Sequence, residues 1–475
     1  MRYHRGNSRF QQSFLSINDQ ISGDNVVRII DEICETFCTT VTIEKGIKDT
    51  GRKAYHPADL AKILVYGYFN GVSSSRKLER ETLRNIELKW LINDVCPDHK
   101  TISDFRKDNP NLIDRLFKYL ITRFKEQGLV RGKSIAVDGS KIKANASKEL
   151  NIETIRKKLD NIDQQVEKYL KDIDAIDKAE DDVEHLEKKK AELERELEIL
   201  EFKKKEYQQS VEALHAIGQK RTSLTDSHSK IMRGRTGSFW GYNVQSAVDT
   251  ESHLITVINV TSNQNDKGLL TQMIKASEEA TGQKPEEAIA DAGYYKINEL
   301  EELQENGTEC YVAISRTPSQ VKDEEQGLAF TYNKEQDRYY CNENKPLTSI
   351  GTKARNNGKL ATAYRGTECN VCPTRNKCTT AKYRTFHRNE NQEWLDSYHE
   401  KMHSEEGKKK LSIRKSVAEH PFGTMKYSMG QIPLLLRGST KVQTEMNLYA
   451  IGYNLKRYIT LKRAPAPKTR TRLAA

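Results

Sequence analysis

Three carboxylates are placed in the sequence where they could hold a divalent cation. Asp138 interrupts KSIAVDGSKIKANA, in which Ser134 to Val137 read as a buried strand, and Asp291 ends the short apolar strand of EEAIADAGYY. Small residues follow both aspartates and leave each strand end open to a ligand. Glu419 lies in RKSVAEHPFGTMK, where we expect an amphipathic helix to place it on the inner face, toward the sheet. A buried carboxylate is costly without a partner.

Oxygen-only ligand sets of this kind suit Mg²⁺ or Mn²⁺. Two such ions roughly 3.5 to 4 Å apart can activate an attacking oxygen and stabilise a leaving oxygen at phosphorus. The plainer interpretation is that each aspartate is a turn or cap residue and that the glutamate is solvated or stabilised by a helix dipole. Asp249 and Asp266 also read as turn, loop or cap residues, and we leave them outside the catalytic set.

Half of the eight cysteines fall in one segment that is poor in apolar residues. They are Cys341, Cys369, Cys372 and Cys378. Such a group suggests a structural Zn²⁺ site, although the last spacing is wider than is common. The alternative is a set of free thiols, as expected in a reducing compartment.

The composition favours a polyanionic partner without requiring one. The chain has 475 residues, with 78 Lys and Arg against 67 Asp and Glu, for a formal charge of +11. No apolar run approaches the roughly 20 residues of a membrane helix, and the first residues lack the apolar core of a signal peptide. We therefore expect a cytoplasmic protein.

The pattern of apolar residues predicts an α/β protein with helical additions. Residues 1–128 read as short helices with clustered basic residues, which suit a DNA-binding helix-turn-helix domain or an ordinary helical bundle. Residues 129–150 and 223–330 alternate strands and helices. Residues 331–384 read as loop, residues 385–460 as helices that complete the α/β core, and residues 461–475 as a disordered basic tail.

Residues 151–222 carry a strict heptad pattern between two strand-like stretches. Its first apolar positions are Ile152, Ile155, Leu159, Ile162, Val166, Tyr169, Ile173 and Ile176. One long helix would leave the flanking strands tens of ångströms apart, at about 1.5 Å per residue. We therefore predict an antiparallel coiled-coil hairpin that turns near DAIDKAEDD. The alternative is a long helix that pairs with a second subunit.

Four ordered motifs, AVDGSKIKANAS, GYNVQSAVD, ADAGYY and VAEHPFGTMK, resemble the transposases of bacterial insertion sequences. These are of the DDE class, with a ribonuclease-H-like core. The resemblance runs from the N-terminal helices to about residue 460. In that family the first Asp lies on the first strand, the second follows the fourth strand, and the Glu lies on a late helix. The resemblance therefore implies that Asp138, Asp291 and Glu419 are catalytic and bind Mg²⁺ or Mn²⁺.

The resemblance also implies DNA contacts and partners. In the family's Tyr-Arg-Glu-Lys signature, the Lys position is Lys426 and the Arg position is Lys415, with Arg414 beside it; Ser412 occupies the Tyr position. The implied partners are transposon-end and target DNA, with at least a dimer on DNA, and the implied setting is the bacterial nucleoid. Similar transposases also carry a comparable cysteine cluster before the catalytic helix, which favours zinc here.

The sequence adds one further group of candidate DNA contacts. Arg233, Arg235 and Trp240 lie together in RGRTGSFWGYN, where arginines can hold phosphates and an aromatic ring can stack on bases. A core aromatic that opens a strand is the alternative for this stretch. The main functional hypothesis is a transposase that cuts transposon ends and joins them to target DNA. The rivals are a hydrolytic nuclease with the same carboxylates and an inactive DNA-binding relative.

Overall fold

The computed structural model describes residues 16–40, 54–146, 149–177, 183–216, 221–223, 225–234, 237–316, 318–354, 360–430 and 432–463. Their helices are α1 (Val26–Thr40), α2 (Pro57–Phe69), α3 (Ser75–Arg84), α4 (Ile86–Leu91), α5 (His99–Asp108), α6 (Pro110–Glu126), α7 (Ile152–Asp177), α8 (Val183–Ala216), α9 (Leu270–Thr281), α10 (Ile297–Glu305), α11 (Pro318–Glu325), α12 (Arg375–Cys378), α13 (Gln392–His403), α14 (Glu405–Tyr427) and α15 (Ser439–Arg463). Their strands are β1 (Ser134–Lys143), β2 (Glu149–Asn151), β3 (Arg221–Ser223), β4 (Lys230–Gly234), β5 (Gly237–Asp249), β6 (Ile255–Thr261), β7 (Glu287–Ala290), β8 (Glu309–Val312), β9 (Phe330–Asn333), β10 (Arg338–Cys341), β11 (Pro346–Ala354), β12 (Leu360–Gly366) and β13 (Thr385–Asn389). None of the helices in these ranges is long and apolar enough to cross a membrane.

Six helices, α1 to α6, form the N-terminal part of the described chain. Their starts follow the sequence: Asn85 and Asp98 accept hydrogen bonds from the first turns of α4 and α5, and prolines open α2 and α6. Their apolar faces share one core with α14 and α15. The N-terminal helices therefore pack directly against the last two helices of the described chain.

A mixed sheet lies at the centre, with helices on both faces. Its order is β4-β5-β1-β7-β8, and β6 also pairs with β5. The strands β1, β7 and β8 run parallel, while β5 is antiparallel to β1, β4 and β6. Alternate residues of β1 face opposite layers: Ala136 packs with the core of α14 and α15, and Ile135 and Val137 pack with that of α9, α10 and α13.

The heptad segment forms two helices that run antiparallel. Lys204 Nζ of α8 lies 2.6 Å from Asp163 Oδ1 of α7, and Tyr207 packs against Ile155 and Leu159. At the base, β2 pairs antiparallel with β3, with Asn151 opposite Arg221. The chain therefore goes out and returns. Coiled-coil packing stays a prediction. Of the predicted turn region, residues 174–182, the first four belong to α7, and residues 178–182 lie outside the described residues.

The prediction of loop for residues 331–384 is wrong. The strands β9 to β13 form an antiparallel five-stranded sheet in the order β13-β12-β11-β10-β9. Its small core is aromatic: Tyr339, Tyr364 and Phe386 pack together without any aliphatic run that would have marked strands. Asp337 and Asn344 make its tight turns, with φ of 46° and 53°.

Candidate active site

Asp138 lies in the middle of the central strand of the main sheet, where β1 pairs with β5 and places Asp138 opposite Ser246. Its side chain is 16% exposed. Burial raises the pKa of its carboxyl to about 7; the positive charge of Arg414 opposes this, and the charges of Asp291 and Glu419 add to it. Burial is therefore the main reason why the pKa of Asp138 is raised.

Asp291 lies beside Asp138 because two neighbouring strands are parallel. β7 pairs with β1, with Ile289 opposite Ala136, and two more residues along both strands bring Asp291 level with Asp138. The Oδ1 atom of Asp291 accepts a hydrogen bond from Gly293 N at 2.8 Å and caps a short 3₁₀ turn. The strand end therefore fixes the carboxylate at the edge of the site.

The helix α14 brings a cation and the third carboxylate to the same place. Arg414 Nη1 lies 3.6 Å from Asp138 Oδ1, and its Nη2 atom lies 3.0 Å from Glu419 Oε1. The predicted inner position of Glu419 is wrong, because Val417 and Ala418 occupy the inner face, while the Glu419 side chain is 56% exposed at its edge. A helix residue next to two buried neighbours falls at the border of the apolar face.

Polar contacts one helical turn apart fix how α14 crosses the sheet. Glu406 Oε1 accepts from the Tyr311 hydroxyl of β8 at 2.8 Å, and Lys410 Nζ donates to Glu287 Oε2 of β7 at 2.5 Å. Arg414 continues this series onto β1. Residues four apart share one helix face, so the three contacts set both the position and the rotation of the helix across the sheet.

Asp266 is a fourth carboxylate at the site, although the sequence analysis reads it as a loop or cap residue outside the catalytic set. Its Oδ1 atom accepts from Asn243 Nδ2 at 2.7 Å and from Gln245 Nε2 at 2.8 Å. A Cβ added to Gly293 would lie 2.9 Å from Asp291 Oδ1 and 3.1 Å from Asp266 Oδ2, so both carboxylates border one narrow space that glycine keeps open. The available signal was a pair of amides, Asn243 and Gln245, on an otherwise apolar strand. Buried amides need hydrogen-bond partners, and Asp266 is the partner of both.

The donor set suits a hard divalent cation, because all of its atoms are carboxylate oxygens. Within the described ranges, however, no three His, Cys, Asp or Glu side chains are placed so that they could hold one metal ion together. The carboxylates therefore match a divalent cation in their charge and in the type of their ligand atoms.

Of the predicted DNA contacts, Lys426 has a hydrogen bond that places it next to the site. Lys426 Nζ donates to Ser140 Oγ at 2.6 Å, two residues beyond Asp138 on β1. Lys415 and Arg233 are exposed, and Trp240 is half-buried in β5. Arg414 faces the carboxylates, as described above, and Arg235 lies outside the described residues.

The four clustered cysteines line one small cavity of about 40 Å³ in the five-stranded sheet domain. They are Cys341, Cys369, Cys372 and Cys378. The pKa of Cys378 is raised by burial and by the neighbouring thiols of Cys369 and Cys341, although Arg384 opposes this. A Cβ added to Gly366 would lie 2.5 Å from Cys369 Sγ, so glycine makes room for that sulfur. The geometry brings together all four residues that the spacing singled out, although no group able to hold a metal is formed within the described residues.

Two family models match parts of the chain. The Transposase DDE domain matches residues 340–459, a range that includes the four cysteines, Glu419 and Lys426. The Transposase domain (DUF772) matches residues 15–108, within the N-terminal helices. Asp138 and Asp291 lie between the two matches.

A solved structure described as a piggyBac transposase synaptic complex with hairpin DNA is similar at 10% sequence identity. The similarity covers 93% of this chain and 80% of that chain, with a TM-score of 0.29. At that score the similarity supports no conclusion about this chain. A search of curated proteins found no match.

Proposed function

The two family matches confirm the resemblance to DDE-type insertion-sequence transposases, and from that premise we propose that this chain binds the terminal inverted repeats of its element and catalyses metal-dependent DNA cleavage and strand transfer. One observation carries the proposal. Asp138 and Asp291 stand level on adjacent parallel strands, and Arg414 of α14 contacts both Asp138 and Glu419.

The strand order supports a ribonuclease-H-like core. When β1, β5, β6 and β7 are counted as the first four core strands, Asp138 lies on the first strand and Asp291 directly follows the fourth. Glu419 lies on a late helix, after the five-stranded sheet. These are the three positions that the family resemblance implies.

The carboxylates of Asp138, Asp291 and Glu419 would hold Mg²⁺ or Mn²⁺. When bound, the metal would activate the attacking oxygen and stabilise the leaving oxygen of an in-line displacement at phosphorus. Asp291 is held in place by the Gly293 N–H, and Asp266 is held by two amides of β5. Arg414 balances part of the negative charge, and so limits the protonation of Asp138 that burial promotes.

The basic residues beside the site would bind the DNA backbone. Lys426 is held by Ser140 close to Asp138, and Lys415 and Arg233 are exposed where a phosphate could reach them. Such contacts make the affinity fall steeply with salt. Cutting two ends together requires at least a homodimer on DNA, and we place this activity at the nucleoid in the bacterial cytoplasm.

The cysteine cavity would hold a structural Zn²⁺. Four thiolates are a common ligand set for such sites. A small sheet whose core has three buried residues, Tyr339, Leu347 and Tyr364, buries little apolar surface, and metal binding would supply part of its folding free energy.

The test is cleavage and joining of labelled DNA that carries the element's own ends, with Mg²⁺. Wild type is compared with Asp291→Ala and with Asp172→Asn, a control at an exposed acid of α7. We expect joined products from wild type and the control, and none from Asp291→Ala. Cleavage without joining would favour a hydrolytic nuclease, and equal activity in Asp291→Ala would refute the proposed site.

A further inference from the structure

Ile199 and Phe202 form an exposed apolar pair on α8, the second helix of the hairpin. Their side chains are 54% and 64% exposed. Tyr207 packs in one cluster with Ile155 of α7, and Leu200, seven residues earlier, lies on the same side of α8. Phe202 is two residues from Leu200, and so about 200° further round the helix. The apolar pair therefore points away from α7.

The surroundings of this pair distinguish it from an ordinary surface. Apolar residues scattered singly over a surface are normal and need no explanation. Here, however, every other exposed residue between Glu194 and Glu206 is charged. Steps of four, three and four residues, the spacing of a helix seam, connect Arg195, Ile199, Phe202 and Glu206. The helix α8 therefore has a second seam, on the side opposite to α7.

The charges around the pair change sign from one side of it to the other. Along the seam, Arg195 precedes the pair and Glu206 follows it. Glu198 and Lys205 are seven residues apart and lie on one flank of the seam, again one before and one after the apolar residues. A second α8 that runs antiparallel would place Arg195 opposite Glu206 and Glu198 opposite Lys205, each twice by symmetry. A parallel copy would place each charge opposite its own kind, which is repulsive.

We propose that the outer face of α8, defined by Arg195, Ile199, Phe202 and Glu206, binds the same face of a second copy of this chain, with the two helices antiparallel. The apolar pairs of both copies would be buried at the centre of the contact, and the ion pairs would fix its direction. A contact built from one helix of each copy is small among specific interfaces, so we expect a dissociation constant in the micromolar range. The association does not depend on the proposed activity, but it adds a surface at which two copies can meet.

The experiment is sedimentation velocity of the full chain without DNA, at concentrations below and above the micromolar range. We expect wild type to pass from monomer to dimer as the concentration rises. Phe202→Gln should weaken the dimer about tenfold, because it removes an apolar ring from the centre of the contact on both copies. Leu170→Gln is the matched control, at an apolar residue of α7 that is 49% exposed, and should associate as wild type does.

A charge reversal tests the direction of the two helices. Arg195→Glu would place like charges opposite each other in the antiparallel pair and should weaken the dimer about tenfold. Adding Glu206→Arg to Arg195→Glu exchanges the two charges and should restore the wild-type affinity. Residues 195 and 206 are eleven positions apart, roughly 16 Å along the helix, so this rescue cannot come from a pair within one chain.

The remaining outcomes overturn the inference. A wild type that stays monomeric throughout, or a dimer that Phe202→Gln leaves unchanged, would mean that this face does not join two copies. A dimer that the double charge exchange fails to restore would exclude the antiparallel arrangement. A monomeric wild type whose binding to the element's ends is lost in Phe202→Gln would assign the face to DNA instead. Because sedimentation is measured without DNA, each of these results leaves the cleavage assay, and with it the proposed function, to be decided separately.

Discussion

The Nη1 atom of Arg414 lies 3.6 Å from the Oδ1 atom of Asp138, on a side chain that is 12% exposed. The same guanidinium group also contacts Glu419. Arg414 therefore joins a strand carboxylate to a helix carboxylate at the place where we propose that a metal binds. Its charge lowers the pKa of Asp138 against the larger effect of burial.

Arg414→Ala should make the protein need more Mg²⁺ at neutral pH. Without the cation, the pKa of Asp138 rises further above about 7, and more of the carboxyl is protonated at pH 7. We expect the Mg²⁺ concentration for half-maximal cleavage to rise roughly tenfold at pH 7 and to approach the wild-type value at pH 8.5. Arg414→Lys keeps the charge and should show a smaller effect. A lower Mg²⁺ requirement in Arg414→Ala would mean that Arg414 competes with the metal, and would contradict this account.

Asp266→Asn should impair cleavage while the protein stays folded. The substitution keeps the size of the side chain but removes a negative charge beside Asp291 and places an amide where Asn243 and Gln245 donate. Groups that support metal ligands typically contribute about 10- to 100-fold, and we expect a loss of that order. Asp172→Asn serves as the control, with melting temperatures measured for both. Wild-type cleavage by Asp266→Asn would show that Asp266 only shapes the loop.

The contrast between Asp138 and Asp266 shows what the sequence could predict. Asp138 interrupts an apolar strand, where a carboxylate is anomalous and therefore informative, and the resemblance to transposases then implies that it is catalytic. Asp266 follows β6 in a polar stretch, where an aspartate is ordinary. Its place beside Asp291 depends on how β5 aligns Asn243 and Gln245, and that register is a tertiary property.

The contacts of Arg414 with the carboxylates and the strands of the small sheet were not predicted, for similar reasons. Periodicity predicts that α14 is a helix, but its rotation is fixed by contacts of Glu406 and Lys410 with β8 and β7, which no local pattern contains. The strands β9 to β13 are rich in Tyr and Thr and pack ring against ring, so they lack the aliphatic alternation on which strand prediction rests.

Cys378→Ser should remove zinc from the purified protein. Its sulfur faces the cavity shared with Cys341, Cys369 and Cys372, so its loss would leave three thiolates and weaken a tetrahedral site. We expect about one zinc per chain in wild type by elemental analysis, little in Cys378→Ser, and a lower melting temperature for the variant. Cys96→Ser is the control, because it alters an exposed thiol outside the cavity. This variant should contain as much zinc as wild type. Equal metal content in all three proteins would refute the zinc proposal.

Replacing residues 152–220 by Asn-Gly should leave the rest of the protein folded. Asn151 lies opposite Arg221 in an antiparallel pair, so a two-residue hairpin turn can join them. Ile155, Leu159 and Tyr207 form a cluster separate from the main core, and its removal exposes little of that core. We expect a melting temperature within a few degrees of wild type. Insoluble protein, or a large drop in the melting temperature, would mean that the hairpin stabilises the core.

Glu445→Gln should flatten the pH dependence of stability. Glu445 is fully buried in α15, where it accepts hydrogen bonds from Leu435 N and Leu436 N, and burial raises the pKa of its carboxyl. Above the ordinary pKa, the unfolded chain has lost a proton that the folded protein still holds. The free energy of unfolding therefore falls as the pH rises from about 4.5 through the raised pKa. Glutamine does not titrate, so this decline should disappear, although overall stability drops because nearby Arg106 loses a countercharge. Urea unfolding of both proteins between pH 5 and pH 8 measures the two slopes, and parallel slopes would assign the pH dependence to other groups.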